Sequence, residues 1–407
     1  FCTKHLIDLG FEKVAGWECM FVHRQQKLFL SVYVDDFKMA GRKANLGSMW
    51  AKIKKVMDID PPTKLVDNVY LGCGQEDIEP STKDLQEKSD LFQECLNASS
   101  GRHAKAVPSD QGKSLPAARG VAGSLTPNLG KQHSEKNKTS QDRRDPAQGK
   151  VKAWQYKMWG HAEQCVDKYL ELSGKKMDSL KEVRTPCIDD HMLSPEDFET
   201  KGVLQKECAR IVLKVLYLAR QARPDLLWSV NSLARDVTKW NVACDKRLHR
   251  LIAYVHHTKS WTQRCWVGDS LDKCSIVMFV DASFAGDLRD SKSTTGMYLV
   301  IMGPNAFVPV SWFVKKQGAI SHSSSEAEVI GLDAAVRMEG IPSLALWETV
   351  LQVFHPEVVK AKVRASTNQP KAELIYQILA DVDYVPPSVP PSLGIAHLYV
   401  MEDNEAV

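Results

Sequence analysis

The apolar and polar positions of the chain change period several times, and each change predicts an element. Leu6, Ile7 and Leu9 before Gly10 suggest a short helix with a glycine stop. MFVHRQQKLFLSVYV reads as two strands joined at a polar RQQK turn, and FKMAG as a third. Leu46, Met49, Trp50, Ile53 and Met57 follow a helical period that ends before Pro61 and Pro62. KLVDNVYLGCG reads as one further strand. Beyond residue 160 the period becomes helical. HAEQCVDKYLELSG stops at Gly174, ECARIVLKVLYLARQ is more apolar, and ARPDLLWSVNSLARDV restarts at Pro224, a residue suited to a first helical position. Leu248, Leu251, Ile252 and Val255 form one apolar stripe on a fourth helix. From Cys274 the pattern favours strands: SIVMFVDASFAG, STTGMYLVIMG and VPVSWFVKKQ. A Ser-capped helix, SSSEAEVIGLDAAVRMEG, comes next. An irregular segment about 356–395 precedes a last strand, IAHLYVMEDNEAV.

Composition alters this picture in one place. Between Glu94 and Ala153 there is no Phe, Trp or Tyr, and residues 101–150 carry a local net charge of +6. Such a stretch cannot bury enough apolar surface to offset its ordering entropy, so disorder is expected there. The chain as a whole has 407 residues and a net charge of only +3, so any nucleic-acid footprint must be local. Its 10 cysteines show no CxxC spacing and read as reduced thiols of an intracellular protein. No apolar run is long enough to span a membrane, and no secretory signal is recognisable. The chain opens on Phe1 and ends at MEDNEAV, which reads as a piece cut from something longer. His256 and His257, without a nearby Cys or carboxylate, read as surface residues rather than ligands.

The candidate chemistry lies in the acids. Asp35 and Asp36 come directly after the strand LFLSVYV, and side by side they repel each other. A surface turn or a cation that holds both charged would each explain the pair. Asp281 interrupts a strand and is followed by small residues that leave room beside it, and Asp403 ends the strand HLYVME. The intervening helix offers Glu326 or Glu328, which point about 200° apart. Glu326 shares its face with Asp333 and Arg337, whereas Glu328 shares an apolar face with Gly331, Leu332 and Ala335. Glu328 is therefore the choice, although Ser325 and Glu328 also have the spacing of a capping box.

YVDD (33–36) with Ala40-Gly41, VYLG (69–72), ARPDLLWSVNSLAR (222–235), VDASFAGDLRDSKSTTG (280–296), VSWFVKKQ (310–317) and SSSEAEVIGLDAA (323–335) together carry a resemblance. The chain resembles the reverse transcriptase and RNase H region of a copia-type retrotransposon polyprotein. The resemblance implies an α/β chain. It would comprise a partial palm over 1–75 with the YVDD hairpin and a helical thumb or connection region over 151–262; the basic stretch between them, 76–150, expected to be disordered, is an insertion unusual for the family. An RNase H-like domain with a mixed sheet would fill 263–407, with an insertion about 356–395. Asp35 and Asp36 resemble the palm doublet that binds Mg²⁺ for nucleotide addition, and Asp281, Glu328 and Asp403 resemble three RNase H acids. Thr367 is a rival to Asp403, rejected because a hydroxyl cannot ligate like a carboxylate. Mg²⁺ or Mn²⁺, an RNA/DNA hybrid, an RNA template with a DNA primer, and the rest of the Pol polyprotein are the implied partners, with no membrane. A dNTP would join them only if the rest of the palm is supplied. The family pattern also expects another palm aspartate upstream and another acid after Asp403. This piece alone is thus expected to be inactive as a polymerase, and the alternative is a non-catalytic nucleic-acid-binding remnant of a decayed element.

Overall fold

A computed structural model describes residues 1–66, 68–100, 151–286, 290–357, 359–360 and 392–403, with backbone alone over 96–100. Two sheets organise it. The first is antiparallel: β1 (Glu12–Val14), β2 (Trp17–His23), β3 (Leu28–Tyr33) and β4 (Asp36–Gly41), in that order. Leu28 and Leu30 of β3 pack against Leu6 of α1 (Cys2–Asp8) and Met49 and Ile53 of α2 (Lys43–Lys54), so one face of this sheet is closed by helices.

The second sheet is mixed and has 8 strands. It contains β5 (Asn68–Tyr70), β6 (Cys73–Ile78), β7 (Lys152–Lys157), β8 (Gln263–Val267), β9 (Ser275–Ser283), β10 (Thr294–Gly303), β11 (Ala306–Lys316) and β12 (Leu398–Met401). Their spatial order is β12-β9-β10-β11-β8-β7-β6-β5, so a single sheet runs from the YLG segment to the last strand. α3 (Thr82–Ser100) lays Leu91, Phe92 and Cys95 on the face that carries Val277 and Val300. α4 (Trp159–Ser173), α6 (Cys208–Gln221), α7 (Leu227–Arg235) and α8 (Val242–His257) form a bundle with its own core. A short α5 (Pro195–Glu199) precedes α6. Trp312 and Val314 of β11 pack on that bundle, and the Trp312 indole donates to the Ala219 carbonyl.

α9 (Ser324–Ala335) and α10 (Ile341–Phe354) cover the opposite face, joined through a π-helical turn over Val336–Gly340. α10 is apolar nearly all round, the mark of a helix buried between two layers. Trp347 and Leu351 face β9 and β10, while Leu346, Val353 and Phe354 face Trp17, Val22 and Phe29 of the first sheet. The Trp17 indole donates to the Pro342 carbonyl, which ties the two sheets together through this helix.

The structure departs from the pattern reading in several places. KLVDNVYLGCG is not one strand: Leu71 takes φ 51° and the chain turns there into a β5–β6 hairpin. Gly72, at φ 72°, is the usual signal of such a turn, and the apolar Leu71 before it and the apolar run around it draw the reading toward one continuous strand. Of the segment expected to be disordered over 76–150, residues 76–78 finish β6 and 82–100 form α3. α3, β7 and α10 have no counterpart in the periodicity. Residues 101–150, Thr367, most of the insertion expected about 356–395, and Asn404 lie outside the described residues. Among the described residues no helix is long and apolar enough to cross a membrane.

Candidate metal centre

The apolar run of β9 ends at Asp281. Ile276, Met278 and Val280 sit in the core under α9 and α10, and Asp281 emerges exposed where the strand leaves that core. β12 runs parallel to β9, with Leu398 opposite Ile276 and Met401 opposite Phe279. Continued two residues further, this register brings Asp403 beside Asp281.

α9 supplies the third acid. Its N-cap is Ser323, whose hydroxyl accepts from the Glu326 amide at 3.1 Å, while the Glu326 carboxylate accepts from the His322 amide at 2.7 Å. Glu326 therefore closes the helix end, and Glu328 has no part in the cap. Glu328 turns inward and is only 5% exposed. Two features bring this turn of α9 close to the sheet. A Cβ at Gly331 would lie 3.1 Å from Thr295 Oγ1 and 3.6 Å from Ala282 Cβ, so the missing side chain permits the close approach. Gln317, itself buried, donates from Nε2 to Thr295 Oγ1 and to the Ala327 carbonyl, at 3.0 and 2.8 Å. It pins the residue before Glu328 to β10.

Three carboxylates converge as a result. One oxygen each from Asp281, Glu328 and Asp403 lies within 4.8 Å of the others, the one such group of three among the described residues. Glu328 accepts from the Ala282 amide, and its Oε2 is buried without a hydrogen-bond partner. Burial first, then the charges of Glu402, Asp281 and Asp403, push its pKa up to about 7. Glu402 is an acid that sequence reasoning missed. It sits directly before Asp403, whose amide donates to its Oε1 at 3.2 Å, and that adjacency was the available signal. A donor set of hard carboxylate oxygens suits Mg²⁺ or Mn²⁺. An unpartnered buried oxygen among repelling charges is what such a cation would satisfy, so the residues fit the group.

Asp35 and Asp36 lie elsewhere. The β3–β4 turn passes through Val34, at φ 53°, and Asp35, and Asp36 pairs with Tyr33. Both acids are exposed, and among the described residues neither belongs to a group of three potential ligands. Tyr217 of α6 stands close to this tip and donates to the Leu71 carbonyl at 2.6 Å. Burial, with the charges of Tyr33, Cys73 and Asp36, raises its phenol pKa. The structure thus brings together three of the five acids singled out in the sequence and leaves two on a separate hairpin.

No family model matches the chain, and no solved structure matches it. Curated proteins do. The chain is 32% identical over 194 residues to the Retrovirus-related Pol polyprotein from transposon RE2 of Arabidopsis thaliana, which covers 46% of this chain and 12% of that protein. The corresponding polyprotein from transposon RE1 of the same plant is 32% identical over 189 residues, with 46% and 12% covered. That from transposon TNT 1-94 of Nicotiana tabacum is 28% identical over 179 residues, with 43% and 13% covered. The matched part thus spans about an eighth of the length of these relatives. These relatives of the chain are copia-type retrotransposon Pol polyproteins.

Proposed function

We propose that the chain is the part of a retrotransposon RNA-directed DNA polymerase that bears its ribonuclease H, an intracellular activity, and that Asp281, Glu328 and Asp403 hold Mg²⁺ or Mn²⁺ for hydrolysis of RNA in RNA/DNA hybrids. The observation that carries this reading is the convergence of three carboxylates, from β9, α9 and the segment that follows β12, to within 4.8 Å. Such cations, when bound, activate water and neutralise charge on a phosphodiester.

The chain's own residues set the conditions. Asp281 and Asp403 are exposed, so a phosphate backbone can approach them from solvent, while Glu328 lies beneath them. The Ala282 amide orients one Glu328 oxygen and leaves Oε2 for a ligand. With its pKa pushed up to about 7, Glu328 would be about half protonated at pH 7 without a cation, and a bound cation would favour its charged form. Asp35 and Asp36 would serve nucleotidyl transfer only with the remainder of a palm, including a further carboxylate. Template, primer and dNTP binding belong to that larger assembly.

The test is cleavage of labelled RNA annealed to DNA, with Mg²⁺. The reading predicts cutting of the hybrid but not of single-stranded RNA, and loss of about a hundredfold or more in Asp281→Asn. Binding of the hybrid without cleavage would support the non-catalytic remnant instead. Equal cleavage by wild type and Asp281→Asn would contradict the site.

A further inference from the structure

Glu348 is a buried acid that the proposed chemistry does not use. It lies on α10, 4% exposed, and is not one of the three converging carboxylates. A buried carboxylate is costly unless its oxygens are satisfied. Here they are satisfied by one short stretch of chain. Glu348 Oε1 accepts from the Ser392 hydroxyl at 2.8 Å and from the Ile395 amide at 3.3 Å, and Oε2 accepts from the Leu393 amide at 2.9 Å. Ser392 Oγ in turn accepts from the Gly394 amide at 3.1 Å, and Gly394 takes φ 67°, which closes the turn. Ile395, 1% exposed, then plugs into the core with Trp347 and Leu351.

This turn leads into β12, which ends two residues before Asp403. The Ile276 amide donates to the His397 carbonyl at 3.3 Å, and Leu398 to Met401 then pair in register with Ile276 to Phe279. β12 is an edge strand of only 4 residues, held by one neighbour. A short edge strand has few ladder bonds to fix its register, and a one-residue slip turns every side chain to the other face. Its register must therefore be set where the chain enters it.

We propose that Glu348 is a positioning residue that latches the 392–395 turn and thereby sets the β12 register that delivers Asp403 to Asp281 and Glu328. The metal arm of the proposal rests on the reading of those three acids as a cation site. Glu348 itself touches none of the reacting groups. Its effect passes through the turn, the His397 carbonyl and the β12–β9 ladder.

The experiment compares wild type, Glu348→Gln and Ser392→Ala in the full chain. Glutamine keeps the volume but replaces one acceptor oxygen with an amide that cannot accept from N–H. Ser392→Ala removes one arm of the latch without altering α10, and serves should Glu348→Gln fail to fold. The first readout is amide hydrogen exchange. Exchange over 392–403 should rise about tenfold or more in Glu348→Gln, and in the same direction in Ser392→Ala, with β10 unchanged. Unchanged exchange there, or an equal rise throughout β9 and β10, overturns the latch.

The second readout is Mn²⁺ affinity. Glu348→Gln should weaken it about tenfold or more, within the range typical of residues that orient metal ligands. In an Asp403→Asn background the same change should have little further effect, because the ligand it positions is gone. Equal weakening in both backgrounds means that Glu348 supports the fold generally and overturns the proposal. If wild type binds no Mn²⁺, the cation-site reading fails separately and the exchange data alone decide the latch.

Discussion

Asp403 stands beside Asp281 because β12 runs parallel to β9 with Met401 opposite Phe279, two residues before each acid. The chain thereby places two carboxylates at neighbouring strand ends, and α9 adds Glu328 from the layer above. All three have an oxygen within 4.8 Å of the others, an arrangement that is repulsive in itself.

That repulsion has a pH signature. The folded-state pKa of Glu328 is raised from the usual 4.5 to about 7, chiefly by burial. The native state then binds the proton more tightly than the unfolded chain. Without divalent cation, this group's contribution is greatest below about pH 4.5 and is lost as pH rises through about 7, by at most about 3 kcal/mol. Denaturant unfolding of wild type and Glu328→Gln in EDTA measures it. The mutant should lack this descending component and be the more stable at pH 8. Parallel pH profiles would show that Glu328 carries no such strain.

The two glutamates of α9 should separate cleanly. Glu326→Ala removes the acceptor for the His322 amide at the helix end and should cost about 1 kcal/mol. It should leave divalent-cation binding unchanged. Glu328→Gln should do the reverse, sparing the helix and weakening cation binding. Thermal melts with and without Mn²⁺ distinguish the two, and a Glu326 effect on Mn²⁺ binding would mean that the roles are misassigned.

Gln317 should behave as a structural link to the same turn. Gln317→Ala leaves the Ala327 carbonyl and Thr295 hydroxyl without their buried donor and should cost about 1–3 kcal/mol. Equilibrium unfolding at a pH where Glu328 is protonated gives the value. A change below about 0.5 kcal/mol, the usual level for surface positions, would refute the link.

Asp35 and Asp36 should support no polymerisation within this chain. They are exposed at a hairpin tip, and among the described residues no third potential ligand joins them. Primer extension on an RNA template with Mg²⁺ should yield no product above that of Asp35→Asn. Extension that Asp35→Asn abolishes would refute this.

The elements with a full local signal were legible. The β2–β3–β4 hairpins, α2, α4 with its Gly174 stop, α8 and the β9–β10–β11 meander lie where their periods put them. Glu328 could be chosen over Glu326 because an apolar helix face marks the inward side, and Glu328 is indeed buried. Elements stabilised by tertiary contact were not legible. Among its described residues α3 lays Leu91, Phe92 and Cys95 on the sheet, a stripe that does not stand out from its charged residues. α10 shows no amphipathic period because both its faces are covered. β7 pairs with β6 across a long excursion in sequence, and the Leu71-Gly72 turn lies inside an apolar run that reads as one strand. The parallel register of β12 on β9 is long-range information that no local pattern contains. Glu402 does not stand out because its neighbour Asp403 already completes the expected triad.

The central claim is that Asp281, Glu328 and Asp403 form one divalent-cation site. It is tested most directly by thermal melting of the chain in EDTA and at rising Mg²⁺ or Mn²⁺. The account predicts that wild type gains stability with cation concentration, by about 2.7 kcal/mol once the cation exceeds its dissociation constant a hundredfold. Asp281→Asn should gain far less under the same conditions. Equal gains in the two proteins, or none in either, would contradict it.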